Sequence, residues 1–187
     1  MSKLKLYMVL VGCQPEGRYT EQHDVFFGIG ASLKELVPHI NAFWPEMQGK
    51  FHIDAWREVT QVNGYTVIVE KTNSDFKNEN HLFFINLGGY KPGEFEEFHY
   101  KFLAIAPDSG KATAIAKQTV FYKTAGFTGA ASHIDDKYTL DVDNIYDINE
   151  LLLPSFKPFR LKISENAGEE DIMNLGYLSL SKLLEKE

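Results

Sequence analysis

The chain has 187 residues, 44 % of them hydrophobic and 13 % aromatic, enough to bury a substantial core and to exclude wholesale disorder. With 26 acidic against 19 basic side chains the formal net charge is −7, which repels a phosphate backbone and argues against nucleic acid as a partner. One cysteine, Cys13, excludes an intramolecular disulfide framework and fits a reducing compartment, and no apolar stretch has the length to cross a bilayer, so a cytoplasmic protein is expected.

In chain order, Leu4, Leu6, Met8 and Leu10 alternate with Lys5, Tyr7, Val9 and Val11, the period of a strand covered on both faces, ending at Gly12. After a loop with Pro15 and Gly17, Val25 to Ile29 is a second strand. Leu33, Leu36, Val37, Ile40, Phe43 and Trp44 fall at helical spacing, and Ser32 with Glu35 has the form of a capping box. Pro38 requires that this helix kink or start later. His52 to Val59 reads as a third strand, and Asn63-Gly64 turns the chain into a fourth at Tyr65 to Val69.

The same order recurs as strands at His81 to Leu87 and Tyr100 to Ala106, a helix from about Ser109 capped by Asp108, and strands near His133 to Val142 and Ile145 to Asn149. That helix places Ala112, Ile115, Ala116, Thr119 and Val120 on one face. The repetition extends to particular residues. Gly12-Cys-Gln-Pro-Glu-Gly17 with Glu21 and His23 returns as Gly88-Gly-Tyr-Lys-Pro-Gly93 with Glu97 and His99, and His52-Ile-Asp54 returns as His133-Ile-Asp135. The fold expected is α+β, a tandem duplication of a ββαββ unit forming a pseudo-two-fold body with a short C-terminal extension. Its parts are residues 1–71, a linker at 72–80, residues 81–150, and an extension at 151–187 packed on the repeats. In the extension Phe159 to Ile163 reads as a strand, while Ile172 to Glu187 carries both helical spacing and a Gly-Tyr strand start.

The eight side chains common to the copies are the candidate site: Glu21, His23, His52 and Asp54, with Glu97, His99, His133 and Asp135. Side chains two apart on a strand share a face, so if the second and third strands are neighbours each copy gathers a Glu, two His and an Asp. Such a set can bind a divalent metal, or let a carboxylate orient an imidazole acting as base. The reading favoured by the residues alone is a structural network satisfying loop and turn groups, since no established metal motif is present. The glycine loops can offer amides to an anion or simply turn corners, and Cys13 is either a small buried thiol or the partner of His23 in a nucleophilic pair.

The residues Leu6 to Gly12, Glu21-x-His23-Asp24-Val25, the helix to Trp44-Pro45, His52-Ile-Asp54-Ala-Trp56 and Val62-Asn-Gly-Tyr65 resemble the bacterial domain-of-unknown-function family 1543. The resemblance is clearest over residues 4 to 70 and runs through the repeat to about 150. That family carries no assigned activity, so the resemblance implies no catalytic residues. In the second copy Tyr100 stands for Asp24 and Lys137 for Trp56, which directs attention to the first copy. The leading expectation is a non-enzymatic module, monomer or weak homodimer, that binds a small molecule or a protein at or between the repeats. The rivals are a metal-assisted hydrolase built on the first copy's cluster, and an interaction protein using its acidic surface or C-terminal segment.

Overall fold

The structure, a computed structural model, describes residues 3–73, 75–126, 131–134, 145–166 and 168–185. The chain is α+β and divides into two compact units, Met1–Phe76 with Leu152–Glu187, and Lys77–Leu151.

In the first unit β1 (Lys5–Cys13) and β2 (Gln22–Gly30) form a long antiparallel hairpin. A 3₁₀ turn at Lys34–Leu36 leads into α1 (Val37–Phe43), then β3 (His52–Val59), β4 (Gln61–Val62) and β5 (Tyr65–Lys71). Pro38 lies in the first turn of α1, where a missing backbone donor costs nothing, so the helix starts late and does not kink. The expected box forms only in part, around the 3₁₀ turn: Glu35 N donates to Ser32 Oγ at 3.4 Å, but Glu35 Oε2 accepts from Ala31 N at 2.9 Å, one residue before the amide a capping box uses. Asn63 and Gly64 both have positive φ, 38° and 89°, as a tight two-residue hairpin requires.

The strands do not stay together as the sequence pattern implied. The first sheet has the order β11-β3-β1-β2, with its edge supplied by β11 (Asn174–Ser179). The fourth strand, β5, instead joins a three-stranded sheet in the order β10-β5-β4, in which β10 (Phe159–Glu165) pairs with it over its whole length. The segment after Pro154 thus completes both sheets of the first unit, and ends in α5 (Leu180–Glu185), which buries Leu183. Between its two strands Asp171 is clamped: its carboxylate accepts from Thr60 N (3.0 Å), Thr60 Oγ1 (2.6 Å) and Gln61 N (3.1 Å), with Arg57 Nη2 at 3.9 Å. Burial lowers the pKa of the Arg57 guanidinium, while Asp171 and Glu170 oppose that fall.

Phe26 packs on Phe43 of α1, ring centroids 5.5 Å apart, and a Cβ on Gly28 would meet Leu36 at 3.1 Å, so the helical layer covers the sheet face that carries Phe26 and Gly28. Tyr7, paired with Gly28, shares that face and is 2 % exposed, its hydroxyl donating to Glu58 Oε1 at 3.2 Å. Burial, then the Glu58 charge and hydrogen bond, then Glu35, push its pKa up to about 12. Because the folded value lies above the unfolded one near 10, the stability this contributes is intact below pH 10 and is lost as pH rises towards 12. An ultraviolet titration should show a tyrosine ionising only near pH 12, and Tyr7→Phe should remove that step. Its persistence in the variant would refute the assignment.

The second unit contains β6 (His81–Tyr90), β7 (Glu97–Ala106), α2 (Ser109–Gln118), α3 (Val120–Thr124), β8 (His133–Ile134), β9 (Ile145–Asp147) and α4 (Ile148–Leu151). β6 is central, pairing with β7 on one side and with β8 and β9 on the other. Asp108 caps α2 as expected, its Oδ1 accepting from Lys111 N at 2.7 Å. Ala112 and Ala116 are fully buried against Phe83, Ile85 and Leu87, but the helical face stops there: Thr119 ends α2 and caps α3, leaving Val120 exposed. The strand expected at Ile145 to Asn149 is shorter, because Asp147 accepts from Asn149 N at 2.9 Å and starts α4. Of the strand expected at His133 to Val142, positions 135–142 lie outside the described residues.

Candidate functional site

Strands β2 and β3 are not neighbours, since β1 runs between them. They still bring the two imidazoles together, because His23 and His52 are both paired with one residue of β1, Gly12. A Cβ at Gly12 would lie 2.4 Å from His52 Nε2 and 2.8 Å from Asp54 Oδ2, so the missing side chain is the space the cluster occupies. Gly12 is therefore not a loop corner; that role, with positive φ, belongs to Gly17 and Gly93.

Strict alternation along β3 would put His52 on the same face as Trp56. Trp56 pairs with Val9 on the helix-covered face, whereas His52 pairs with Gly12 on the opposite one. The switch is made by a bulge: Leu10 and Val11 are consecutive on β1 but face Ala55 and Ile53, leaving Asp54 as the extra residue. On the other side of β3 the register also shifts, with Leu175 facing Ala55 and Leu178 facing Ile53, so Gly176 and Tyr177 stand opposite Asp54. Asp54 thus sits at an irregularity shared with both neighbouring strands, a device that re-aims a side chain without ending the sheet.

The result is a tight group. Asp54 Oδ2 lies 3.0 Å from His23 Nε2 and 3.1 Å from His52 Nε2, and the Glu21 carboxylate lies 3.3 Å from His52 Nε2 and 3.6 Å from His23 Nε2. One ligand atom each from Glu21, His23 and His52 falls within 4.8 Å of the others. His52 is 6 % exposed, yet neither its Nε2 nor the buried Asp54 Oδ2 makes a hydrogen bond, despite the short distances. Glu21 and His23 are the solvent-facing members. The ring of Tyr177 stacks on His52, centroids 4.5 Å apart and planes at 27°. Sequence reasoning missed Tyr177 as a site residue; the Gly176-Tyr177 pair was the available signal, but its partner is more than a hundred positions away.

Cys13 is outside this group. It neighbours Gly12 and so points to the other face, it is 3 % exposed, and burial pushes its thiol pKa up with the Glu21 charge adding to the effect. A Cys13–His23 nucleophilic pair has no support in this geometry.

In the second unit the same register holds for the backbone: Gly88 pairs with His99 on one side and with His133 on the other. Asp135 lies outside the described residues. Glu97 is engaged differently from Glu21, accepting from the Tyr90 hydroxyl at 2.6 Å while its other oxygen lies 4.0 Å from His99 Nε2. The residue matching Tyr90 in the first unit is Gln14, whose amide is turned to Arg18 O at 3.0 Å. The hydroxyl that holds Glu97 therefore has no counterpart beside Glu21.

The chain is an α+β protein whose first unit carries a histidine–carboxylate cluster on one face of an antiparallel sheet. Residues 18–69 match the family model described as Domain of Unknown Function (DUF1543), the family that the sequence resembles, and this span includes Glu21, His23, His52 and Asp54. The fold is similar to that of the crystal structure of protein Il1583 from Idiomarina loihiensis, with 24 % identity, coverage of 95 % of this chain and 97 % of that one, and a TM-score of 0.53. No curated protein matches the chain. Among the described residues no helix is long and apolar enough to cross a membrane.

Proposed function

We propose that the first unit is a binding module for one divalent transition-metal ion, held by Nε2 of His23 and His52 with carboxylate oxygens of Glu21 and Asp54. The observation that carries this reading is the buried His52 Nε2, which makes no hydrogen bond although Asp54 Oδ2 lies at 3.1 Å and Glu21 Oε1 at 3.3 Å. A buried polar atom without a hydrogen bond is costly, and an ion relieves it. Ligand atoms about 2.0–2.1 Å from a tetrahedral zinc are about 3.3 Å apart; the four histidine–carboxylate contacts run from 3.0 to 3.6 Å, and one ligand atom each from Glu21, His23 and His52 lies within 4.8 Å of the others, within reach of a single ion after a small adjustment. Two imidazoles and carboxylates are borderline donors, favouring zinc and its neighbours over calcium or magnesium. The acidic balance and the single buried cysteine fit a cytoplasmic setting, where such a module would take a free ion or one carried by a small molecule or protein.

Protein purified without metal should bind about one equivalent of zinc in calorimetry, and the His23→Ala/His52→Ala double variant should lose that binding while remaining folded. Absence of binding by the natural protein would remove the proposal. A second reading, metal-assisted hydrolysis, draws on the exposed Glu21 and His23, which leave a solvent side where water can join as a further ligand or take the place of one carboxylate. It requires zinc-dependent turnover of an activated ester that the double variant lacks.

A further inference from the structure

We infer that Tyr177, on the C-terminal strand β11, is a positioning residue of this metal site, and that metal occupancy is coupled to the docking of β11; the inference rests on the reading of the site given above. His52 is the buried member of the cluster, and its ring orientation decides whether Nε2 points to the convergence of His23, Glu21 and Asp54. Two features confine that ring. One is Gly12, which makes room for Nε2 by lacking a Cβ, and the other is the Tyr177 ring, stacked at 4.5 Å.

The placement of Tyr177 is not explained by burial, since it is 69 % exposed. It stands opposite Asp54 because β11 bulges there, with Gly176 at φ 116°, a conformation that an L side chain rarely adopts. The strand thus carries a local irregularity at the point where its aromatic ring meets the imidazole. Its flanking side chains Met173 and Leu175 are exposed as well, at 63 % and 77 %. What attaches this part of β11 to the sheet is its backbone pairing with β3, the Asn174 amide donating to Trp56 O at 3.5 Å, and the stack on His52. A group that fixes a ligand's ring acts on metal affinity without touching the metal, typically by about 10- to 100-fold. Linkage then demands the reverse: an ion that fixes His52 must stabilise the docking of β11 by the same factor.

The test uses the full chain and zinc alone as the probe. Wild type should bind zinc, Tyr177→Ala should bind it about tenfold more weakly, and Tyr177→Phe, which keeps the ring, should bind within about twofold of wild type. Hydrogen exchange of the wild-type amides at 174–179 should slow on adding zinc, a change that a merely structural tyrosine would not produce. If Tyr177→Ala does not fold, this exchange measurement and the phenylalanine variant decide the matter. Undiminished zinc affinity in folded Tyr177→Ala, or amides at 174–179 indifferent to zinc that binds, would overturn the inference and leave the site standing. Failure of wild type to bind zinc at all would overturn the site itself.

Discussion

Gly12→Ala is expected to cost at least a hundredfold in zinc affinity while leaving a folded protein. On local propensity alone the substitution should help, because glycine inside a strand is entropically unfavourable and contributes no side chain to packing. The geometry reverses that expectation. The new Cβ would sit 2.4 Å from His52 Nε2 and 2.8 Å from Asp54 Oδ2, closer than any carbon approaches such atoms, so both side chains must move. His52 is buried and stacked on Tyr177, which leaves its ring little room to turn. Overpacking of this kind costs about 1–3 kcal/mol, visible as a lower denaturation midpoint. Gly17→Ala is the control: its φ of 75° makes it mildly destabilising, but nothing lies within 4 Å of its Cβ, and zinc affinity should not change. Unaltered zinc binding by Gly12→Ala would mean that the space over Gly12 is not the site.

Asp171→Ala is expected to produce the largest loss of stability of any single polar substitution considered. Its side chain is 5 % exposed and accepts from two consecutive backbone amides and a hydroxyl while facing Arg57. Removing it strands those donors and leaves a guanidinium that is itself 11 % exposed without its carboxylate. Breaking a buried charged pair and its hydrogen bonds costs about 3–5 kcal/mol, equivalent to a fall in Tm of about 10 °C for a chain of this size. Asp171→Asn, which keeps an acceptor but not the charge, should fall between the two. Because Asp171 ties the segment between β10 and β11 to the β3–β4 junction, the loss should appear first as faster exchange in those strands. A melting temperature within 2 °C of wild type for Asp171→Ala would show that the clamp carries no net stability.

Much of the local structure was legible because it follows from short-range chemistry. The alternation in β1, the Asn63-Gly64 turn, the Asp108 cap and the Ser32/Glu35 box each involve residues within a few positions of one another. The candidate cluster of the first unit was legible as well, since a repeated Glu-x-His and His-x-Asp stand out against a diverged background. What the pattern could not supply was the strand order. The partners of β5 and β3 in the C-terminal segment are about a hundred positions away, as is the Thr60–Asp171 clamp, and nothing in local periodicity marks such pairings. The bulge at Asp54 was hidden for the opposite reason: period-2 counting assumes that none exists, and would have set His52 beside Trp56, on the wrong face for His23. Gly12 looked like part of a turn because it precedes one. Its actual partners, His23 and His52, became visible only once β1 was placed between them.

The central claim is that Glu21, His23, His52 and Asp54 converge on an ion. Anomalous diffraction at the zinc edge, from crystals of the full chain grown with zinc, tests it most directly. A single peak should lie over Gly12, about 2.0–2.1 Å from Nε2 of both His23 and His52 and from an oxygen of Glu21 or Asp54. No anomalous peak at that position, with the two imidazoles instead turned to donate ordinary hydrogen bonds to Asp54, would contradict it.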